Sequence, residues 1–283
     1  MRNSQKGVEC VLLEEKKNKS PLVVHSNDLS FKAGNDFGAN MLRVFFYVLS
    51  QIPYDANEIP SITIEVSSLL GILGREANDT GWRHQIKETL DDLATRLVYL
   101  YDMSDKQSMY RLTWFDYIKE DGNGKTYEFK LKNELEPYLL RLNKDFTRYR
   151  FSYLLEFNKS VYSIKLYDYL HSVAYKGTIS ISLEMFRQQM SLIRINKDGE
   201  IIVDVYSRYE DLSKKVLKPA LKEINEKSDI TATYAPVKDS ADRRKTSGIK
   251  FTISIKENPP TYDYVIPPAR LSEYKKIGDT TSE

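Results

Sequence analysis

The chain has 283 residues, 41% hydrophobic and 29% charged, an ordinary globular composition at a length that suits two domains better than one. Its 42 basic and 40 acidic residues leave a net charge of only +2, which excludes a histone-like polycation and makes charge placement the feature to follow. A single cysteine, Cys10, excludes a disulfide framework and a thiolate zinc site, and no run of about 18 apolar residues exists to span a membrane.

Residues 1–20 are polar and charged, lack the apolar core and cleavage site of a signal peptide, and read as a flexible arm of a cytoplasmic protein. ANMLRVFFYVLSQI (39–52) is almost wholly apolar and predicts a helix central to a core. Pro53 and Pro60 bracket a loop. ITIEVSSLLGILG (62–74) opens as a short strand, after which Ser67 is placed to cap a brief helix ending near Gly71 or Gly74. DTGWRHQIKETLDDLATRLV (79–98) predicts a further helix, with Ile86, Leu90, Leu93 and Leu97 on one face. Two strand-rich runs follow, VYLYDM and YRLTWFDYIKEDGNGKTYEFKL, the second folded at a DGNG turn (121–124) whose residues tolerate φ > 0.

The second half repeats this order. SVYSIKLYDYLHSV (160–173) predicts a helix with Ile164, Tyr167, Leu170 and His171 on one side, GTISIS (177–182) a short strand, and LEMFRQQMSLI (183–193) a short helix. A longer helix over 209–227 precedes two strands, ITATYAPV and GIKFTISI (230–237 and 248–255), joined by KDSADRRKTS. Each half therefore reads helix, short strand, short helix, longer helix, hairpin, a duplication of architecture rather than of sequence. That is the order of a winged helix, a helix-turn-helix variant whose third helix enters the DNA major groove while its hairpin wing follows the backbone. The expected fold is α+β, with two winged-helix domains in tandem over 21–140 and 141–257, and a proline-rich tail over 258–283. Two small α+β units without a DNA role share the pattern, since a fold does not fix a function.

Charge placement bears on that choice. On a wheel begun at Leu212, the residues Leu212, Val216, Leu217, Ala220, Leu221 and Ile224 fall between roughly 0° and 180°. Lys214, Lys215, Lys218 and Lys222 fall between roughly 200° and 300°, with Arg208 at roughly 320°, next to Tyr209 at the helix start. A solvated lysine face is common on surface helices, and Asp211, Glu223 and Glu226 on or beside the basic side weaken a simple electrostatic reading. Pro219 removes a helical donor and its ring clashes with the carbonyl of Lys215, so the helix is expected to bend or unwind there. The hairpin that follows carries Arg243, Arg244 and Lys245 at its tip, within reach of phosphates. In the first half the equivalent helix begins with Arg83, His84 and Lys87, with Arg75 just before it, then turns acidic at Glu88, Asp91 and Asp92. That half suits dimerisation as well as DNA. Between the halves, Arg141, Lys144, Arg148, Arg150 and Lys159 stand against Asp145 and Glu156, a segment that follows a phosphate backbone or is simply solvated.

No GxxxxGK[ST] loop and no GxGxxG after a strand is present. His25, His84 and His171 are far apart and unpaired, which leaves out the paired-histidine metal site of a DNA-nicking enzyme; without it none of the 20 tyrosines is a credible nucleophile. His171, inside an apolar helix, reads as a core residue. No catalytic residue, cofactor or metal is expected.

The stretches FTRYRFSYLLEFNKSVYSIKLYDYL, ISISLEMFRQQM, YEDLSKKVLKPALKEINEKSDITATYAPVK and IKFTISI resemble the iteron-binding plasmid replication initiators, or Rep proteins, of tandem winged-helix type. VLKPALKEINEKSD and SVYSIKLYDYL are the most specific strings, and the likeness extends over residues 22–256. The resemblance implies a bacterial, plasmid-associated protein that binds short direct repeats in double-stranded DNA at an origin as a monomer. It also implies help in opening the adjacent AT-rich duplex, recruitment of the host initiator and helicase, and repression of its own gene as a dimer on an inverted operator. The family's recognition helix corresponds to 209–227, with Arg208, Lys214 and Lys215 at its base-reading positions. Lysine at 214 and 215, where relatives often have arginine, weakens bidentate guanine readout, so Arg208 is the prime base contact and Arg243, Arg244 and Lys245 are the phosphate contacts. The first domain in relatives supplies dimerisation and a second DNA contact, for which Arg83, His84 and Lys87 are the matching positions. A dimeric transcriptional repressor without a replication role shares the fold and stays open.

Overall fold

A computed structural model describes residues 20–32, 37–75, 80–101, 109–158, 160–195, 201–262, 264 and 268–277. Cys10, Asp79, Lys159 and residues 1–19 of the expected arm lie outside the described residues. Ser20, placed in that arm by the sequence, is buried, and its hydroxyl oxygen accepts from the Ser152 N–H at 2.8 Å.

The first unit runs β1 (Leu22–Ser26), α1 (Asn27–Lys32), α2 (Ala39–Ser50), β2 (Ile62–Glu65), α3 (Val66–Ile72), α4 (Thr80–Thr95), β3 (Leu97–Tyr101), β4 (Met109–Thr113), β5 (Phe115–Glu120), β6 (Thr126–Leu131) and α5 (Glu136–Leu139). Next come β7 (Phe146–Arg150), α6 (Ser152–Glu156), α7 (Val161–Val173), β8 (Thr178–Ser182), α8 (Leu183–Gln189), β9 (Ile193–Ile195) and β10 (Ile201–Asp204). The chain continues through α9 (Tyr209–Leu212), a π-helical turn (Ser213–Leu217), α10 (Lys218–Lys227), β11 (Ile230–Lys238), β12 (Thr246–Ile255) and β13 (Arg270–Leu271).

Both winged-helix patterns are present with matching topology. After helix, strand, helix, helix, the second strand of each hairpin returns to pair antiparallel with the short strand, β6 on β2 and β12 on β8. Gly248 is required where β12 meets β8, because a Cβ there would stand 2.7 Å from the Ile181 carbonyl oxygen. The uniformly apolar α2 is buried from Met41 to Leu49 save for Arg43, as expected of a central helix. The wing of the first unit turns where Asp121 Oδ1 accepts from the Lys125 and Thr126 N–H groups, and Gly124 takes the left-handed conformation (φ 60°).

Four details differ from the sequence expectation. Leu97 does not extend the α4 stripe: the helix ends at Thr95, and in β3 strand alternation buries Val98 and Leu100 while leaving Leu97 50% exposed. Ser67 does not cap α3, which continues directly from β2 with Glu65 at its N-cap; the Ser67 hydroxyl instead donates to Glu65 Oε2 at 3.2 Å. The helix expected to reach residue 193 stops at Gln189, Ser191 turns the chain with φ 56°, and Ile193 opens an extra hairpin, β9–β10. Each histidine, none of them paired with another, meets a carboxylate that the sequence did not assign to it. His84 meets Glu88 at 3.3 Å, while His25 and His171 both enter a buried polar joint.

That joint holds the units together. β1 pairs with β7, so residues 22–26 and 146–150 share one sheet across the 140/141 division. His25 Nε2 lies 2.9 Å from Asp168 Oδ1 on α7, Tyr149 Oη donates to the same oxygen at 2.9 Å, and Tyr167 Oη donates to Asp229 Oδ1 at 2.8 Å. His171 Nε2 stands 3.4 Å from Asp229 Oδ2, and the Tyr149 ring packs between His25 and His171 with centroid separations of 6.3 and 5.3 Å. Burial pulls the His25 imidazole down, but the Asp168 carboxylate and the Ser26 carbonyl on its other nitrogen outweigh it and hold the ring above its ordinary value. Buried apolar residues of both units form one continuous core.

Candidate nucleic-acid interface

The segment from Tyr209 to Lys227 is divided by Pro219. Lacking an N–H, the proline cannot bond the Lys215 carbonyl, and the turn before it opens to π geometry, with the Lys218 N–H donating to the Ser213 carbonyl five residues back. α10 then carries Pro219 in its first turn, where no donor is needed. The expected local unwinding is therefore present. Ser213 and Tyr234 hydroxyls share a 2.7 Å hydrogen bond that ties the π turn to β11 at the base of the wing.

This rod sorts its side chains as the wheel requires. Leu212, Val216, Leu217, Ala220, Leu221 and Ile224 are buried, while Lys214, Lys215, Lys218 and Lys222 are exposed. Arg208 occupies the N-cap with an extended backbone (φ −84°, ψ 135°) and an exposed side chain, so its guanidinium precedes the lysine stripe. Tyr209 is half-buried against the core, and burial raises its phenol above the ordinary value. Glu223 departs from the expected role of an acid flanking the basic face. It is fully buried, accepting from the Ser163 hydroxyl at 2.5 Å and the Asn158 N–H at 3.1 Å, with Lys227 at 3.9 Å. On the wheel Glu223 falls at roughly 20°, inside the apolar arc, and that position was the available signal. Glu226 remains exposed and meets Lys222 at 3.9 Å.

Two acids, Asp239 and Asp242, shape the wing tip. Asp239 Oδ1 accepts from the N–H groups of Ala241 (2.7 Å) and Asp242 (3.2 Å), which hold its carboxyl below the usual range. Asp242 Oδ1 accepts from the Arg244 N–H (3.0 Å) and from its Nε (3.2 Å). Both acids build the turn that presents the exposed Arg243, Arg244 and Lys245.

In the first unit Arg83, His84 and Lys87 are exposed along α4 and line a groove of about 240 Å³ against Gly124, Glu120 and Tyr127 of the β5–β6 wing. Lys87 bonds Glu120 at 3.4 Å, and the Arg75 guanidinium stacks 3.9 Å above the Trp82 ring. Of the residues in the connecting strand β7, Arg148 is exposed, whereas Arg150 is half-buried and donates to the Ser20 carbonyl at 3.4 Å. The helix–wing pairs thus gather Arg208, Tyr209, Lys214, Lys215, Lys218, Lys222 and the 243–245 tip in one unit, and Arg75, Arg83, His84 and Lys87 in the other.

Residues 22–171 match the family described as Initiator Replication protein, WH1, and residues 182–253 match Initiator Rep protein, WH2. The chain belongs to the initiator Rep protein family. A crystal structure of the Pi initiator protein in complex with iteron DNA is similar to this Rep chain in fold, with a TM-score of 0.69 at 20% identity, covering 85% of this chain and 100% of that one. No curated protein sequence matches the chain. Among the described residues, no helix of this Rep chain is long and apolar enough to cross a membrane.

Proposed function

We propose that the chain acts as a plasmid replication initiator that binds repeated double-stranded DNA sites, or iterons, at an origin, and does so without catalysis of its own. The observation that carries this is the exposed Arg208–Lys214–Lys215–Lys218–Lys222 face beside a wing tip of Arg243, Arg244 and Lys245, on a winged helix matched to the Rep family. α9 and α10 enter the major groove with Arg208 reading base edges, and the wing follows the phosphates. Arg83, His84, Lys87 and Arg75 make the second, weaker contact, joined by Arg148; Arg150, already bonded to Ser20, contributes least. In the same proposal the bound protein helps open the duplex and recruits the host initiator and helicase, and a dimer represses the gene through an inverted repeat.

Titrating the protein onto the repeats flanking its gene and onto random duplexes tests this. Arg208→Ala should cost about 1–3 kcal/mol on the cognate repeat and less on random DNA. Equal loss on both sequences reduces Arg208 to a phosphate contact, and no preference for any flanking DNA removes the proposal.

A further inference from the structure

The segment beyond β12, left without a role by the sequence, crosses from one winged helix to the other. Lys256 Nζ donates to the carbonyls of Asn225 (2.6 Å) and Ser228 (2.7 Å), at and just past the end of α10. Tyr262 Oη donates to the Lys227 carbonyl at 3.1 Å, and Tyr264 Oη to the Glu156 carboxylate in α6. The chain then reaches the first unit, where the Ala269 N–H donates to Gln51 Oε1 just past α2 at 3.1 Å. β13 adds to the open edge of β2, with Arg270 opposite Thr63 and Leu271 opposite Ile62. Ser272 and Ser61 close a reciprocal pair: the Ser272 N–H donates to the Ser61 carbonyl and the Ser61 N–H donates to Ser272 Oγ, both at 2.9 Å. Beyond it, the Asn57 N–H donates to the Lys275 carbonyl at 2.7 Å and the Ile277 N–H to the Asp55 carbonyl at 2.8 Å.

We propose that this C-terminal segment is a clasp, fastening the end of the DNA-reading helix α10 to the sheet edge of the first domain and so fixing how the two winged helices are placed on one DNA site. The inference rests on the DNA reading above. α7 is the other main link, packing against α2 on one side and α10 on the other. The β1–β7 pairing and the buried joint around Asp168 also bind the units, and the clasp adds a further attachment through separate elements, β13 on β2, at the opposite end of the chain. The attachment is made by a two-residue strand and main-chain bonds at an edge, the kind of contact that opens locally before the core does. It also covers the β2 edge, which otherwise presents unpaired backbone groups. The clasp lies beyond both family-matched spans, 22–171 and 182–253.

Ser272→Pro tests this with one change, since it removes both the N–H and the Oγ that pair with Ser61; a chain ended after Asn258 keeps the Lys256 bonds but removes every contact with the first domain. A Ser61→Cys/Ser272→Cys pair in a Cys10→Ser background, oxidised, locks it shut at the residues next to the β13–β2 register. Without DNA, Ser272→Pro and the shortened chain should show faster hydrogen exchange at the Ser61 amide and broader small-angle scattering, and the locked form neither. With DNA, opening the clasp should weaken binding to the whole repeat by about tenfold, through a lower effective concentration of the second contact, with little change on duplexes cut back to the second domain's half. Unchanged exchange and scattering in the shortened chain overturn the clasp, whatever the DNA does. Changed exchange with unchanged whole-repeat affinity overturns its positioning role. Failure of the unaltered protein to prefer the repeat is a separate outcome: it removes the DNA reading while the DNA-free measurements still judge the clasp.

Discussion

Replacing Arg243, Arg244 and Lys245 with alanine strips three formal charges from the exposed tip of the second wing. Counterion release sets the expected size, because each phosphate neutralised contributes about 0.9 to the slope of log K against log salt. The three residues are not equivalent. Arg243 and Lys245 are exposed, whereas Arg244 is held by Asp242 at 3.2 Å and is partly neutralised before any DNA arrives. The slope should therefore shrink by about 1.8 for Arg243→Ala/Lys245→Ala and by less than about 0.9 more when Arg244→Ala is added. Affinity should fall alike on cognate and random duplexes, since phosphates carry no sequence. The three tip side chains are exposed and outside the core, so the thermal midpoint should barely move. Binding isotherms at four or five salt concentrations, on both duplexes, give the slopes directly. An unchanged slope with weakened binding would refute the reasoning, as would a loss confined to the cognate sequence.

Three further outcomes follow from the same geometry. Pro219→Ala restores an N–H toward the Lys215 carbonyl, so the π turn should revert to α geometry and rotate Arg208 to Leu212 by about 100° relative to α10, lowering cognate affinity without lowering stability; unchanged affinity would count against the divided helix as a recognition device. Gly248→Ala drives a Cβ to 2.7 Å from the Ile181 carbonyl oxygen, a backbone atom that cannot swing aside, so chemical denaturation should show about 1–3 kcal/mol of lost stability, and a neutral result would mean β8 relaxes freely. The His25–Asp168 pair sets a pH window. His25 is raised above 6.5, so its contribution is complete below that value and fades as pH rises through the raised folded value; Asp168, where His25 overcomes the burial penalty, is lowered below 3.8, so its contribution is complete above that value and fades as pH falls through the lowered one. The gap in thermal midpoint between the unaltered chain and Asp168→Asn should be widest between those limits and narrow toward alkaline pH, and a gap independent of pH would remove the ion pair as its cause.

The tandem architecture was legible because its signals are local and periodic. The lysine stripe, the apolar stripe and the proline all sit within one helix, and each falls where the wheel and the chemistry of proline place it. Leu97 failed because a strand residue happens to continue a helical spacing, and only the β-rich VYLY run after it marks the change. Glu223 was misassigned for want of its partners, Ser163 and Asn158, which lie some sixty residues away in sequence. The same distance hides the joint: nothing local tells His25 that Asp168 awaits it 143 residues on. Asp239 and Asp242 are residue types that favour turns, and each accepts from backbone N–H groups of the wing tip. The tail gave the weakest signal, since a two-residue strand and a serine pair have no periodicity to read.

The proposed role of this chain is to start replication by binding repeats beside its own gene. A circular DNA carrying the gene, its flanking sequence and a selectable marker as its only replicon tests that most directly in a bacterial host. Stable maintenance, lost on deleting the repeats and on Arg208→Ala, is the predicted result. Tight, repeat-specific binding together with failure to replicate in any host that expresses the protein would contradict it and leave a winged-helix repressor in its place.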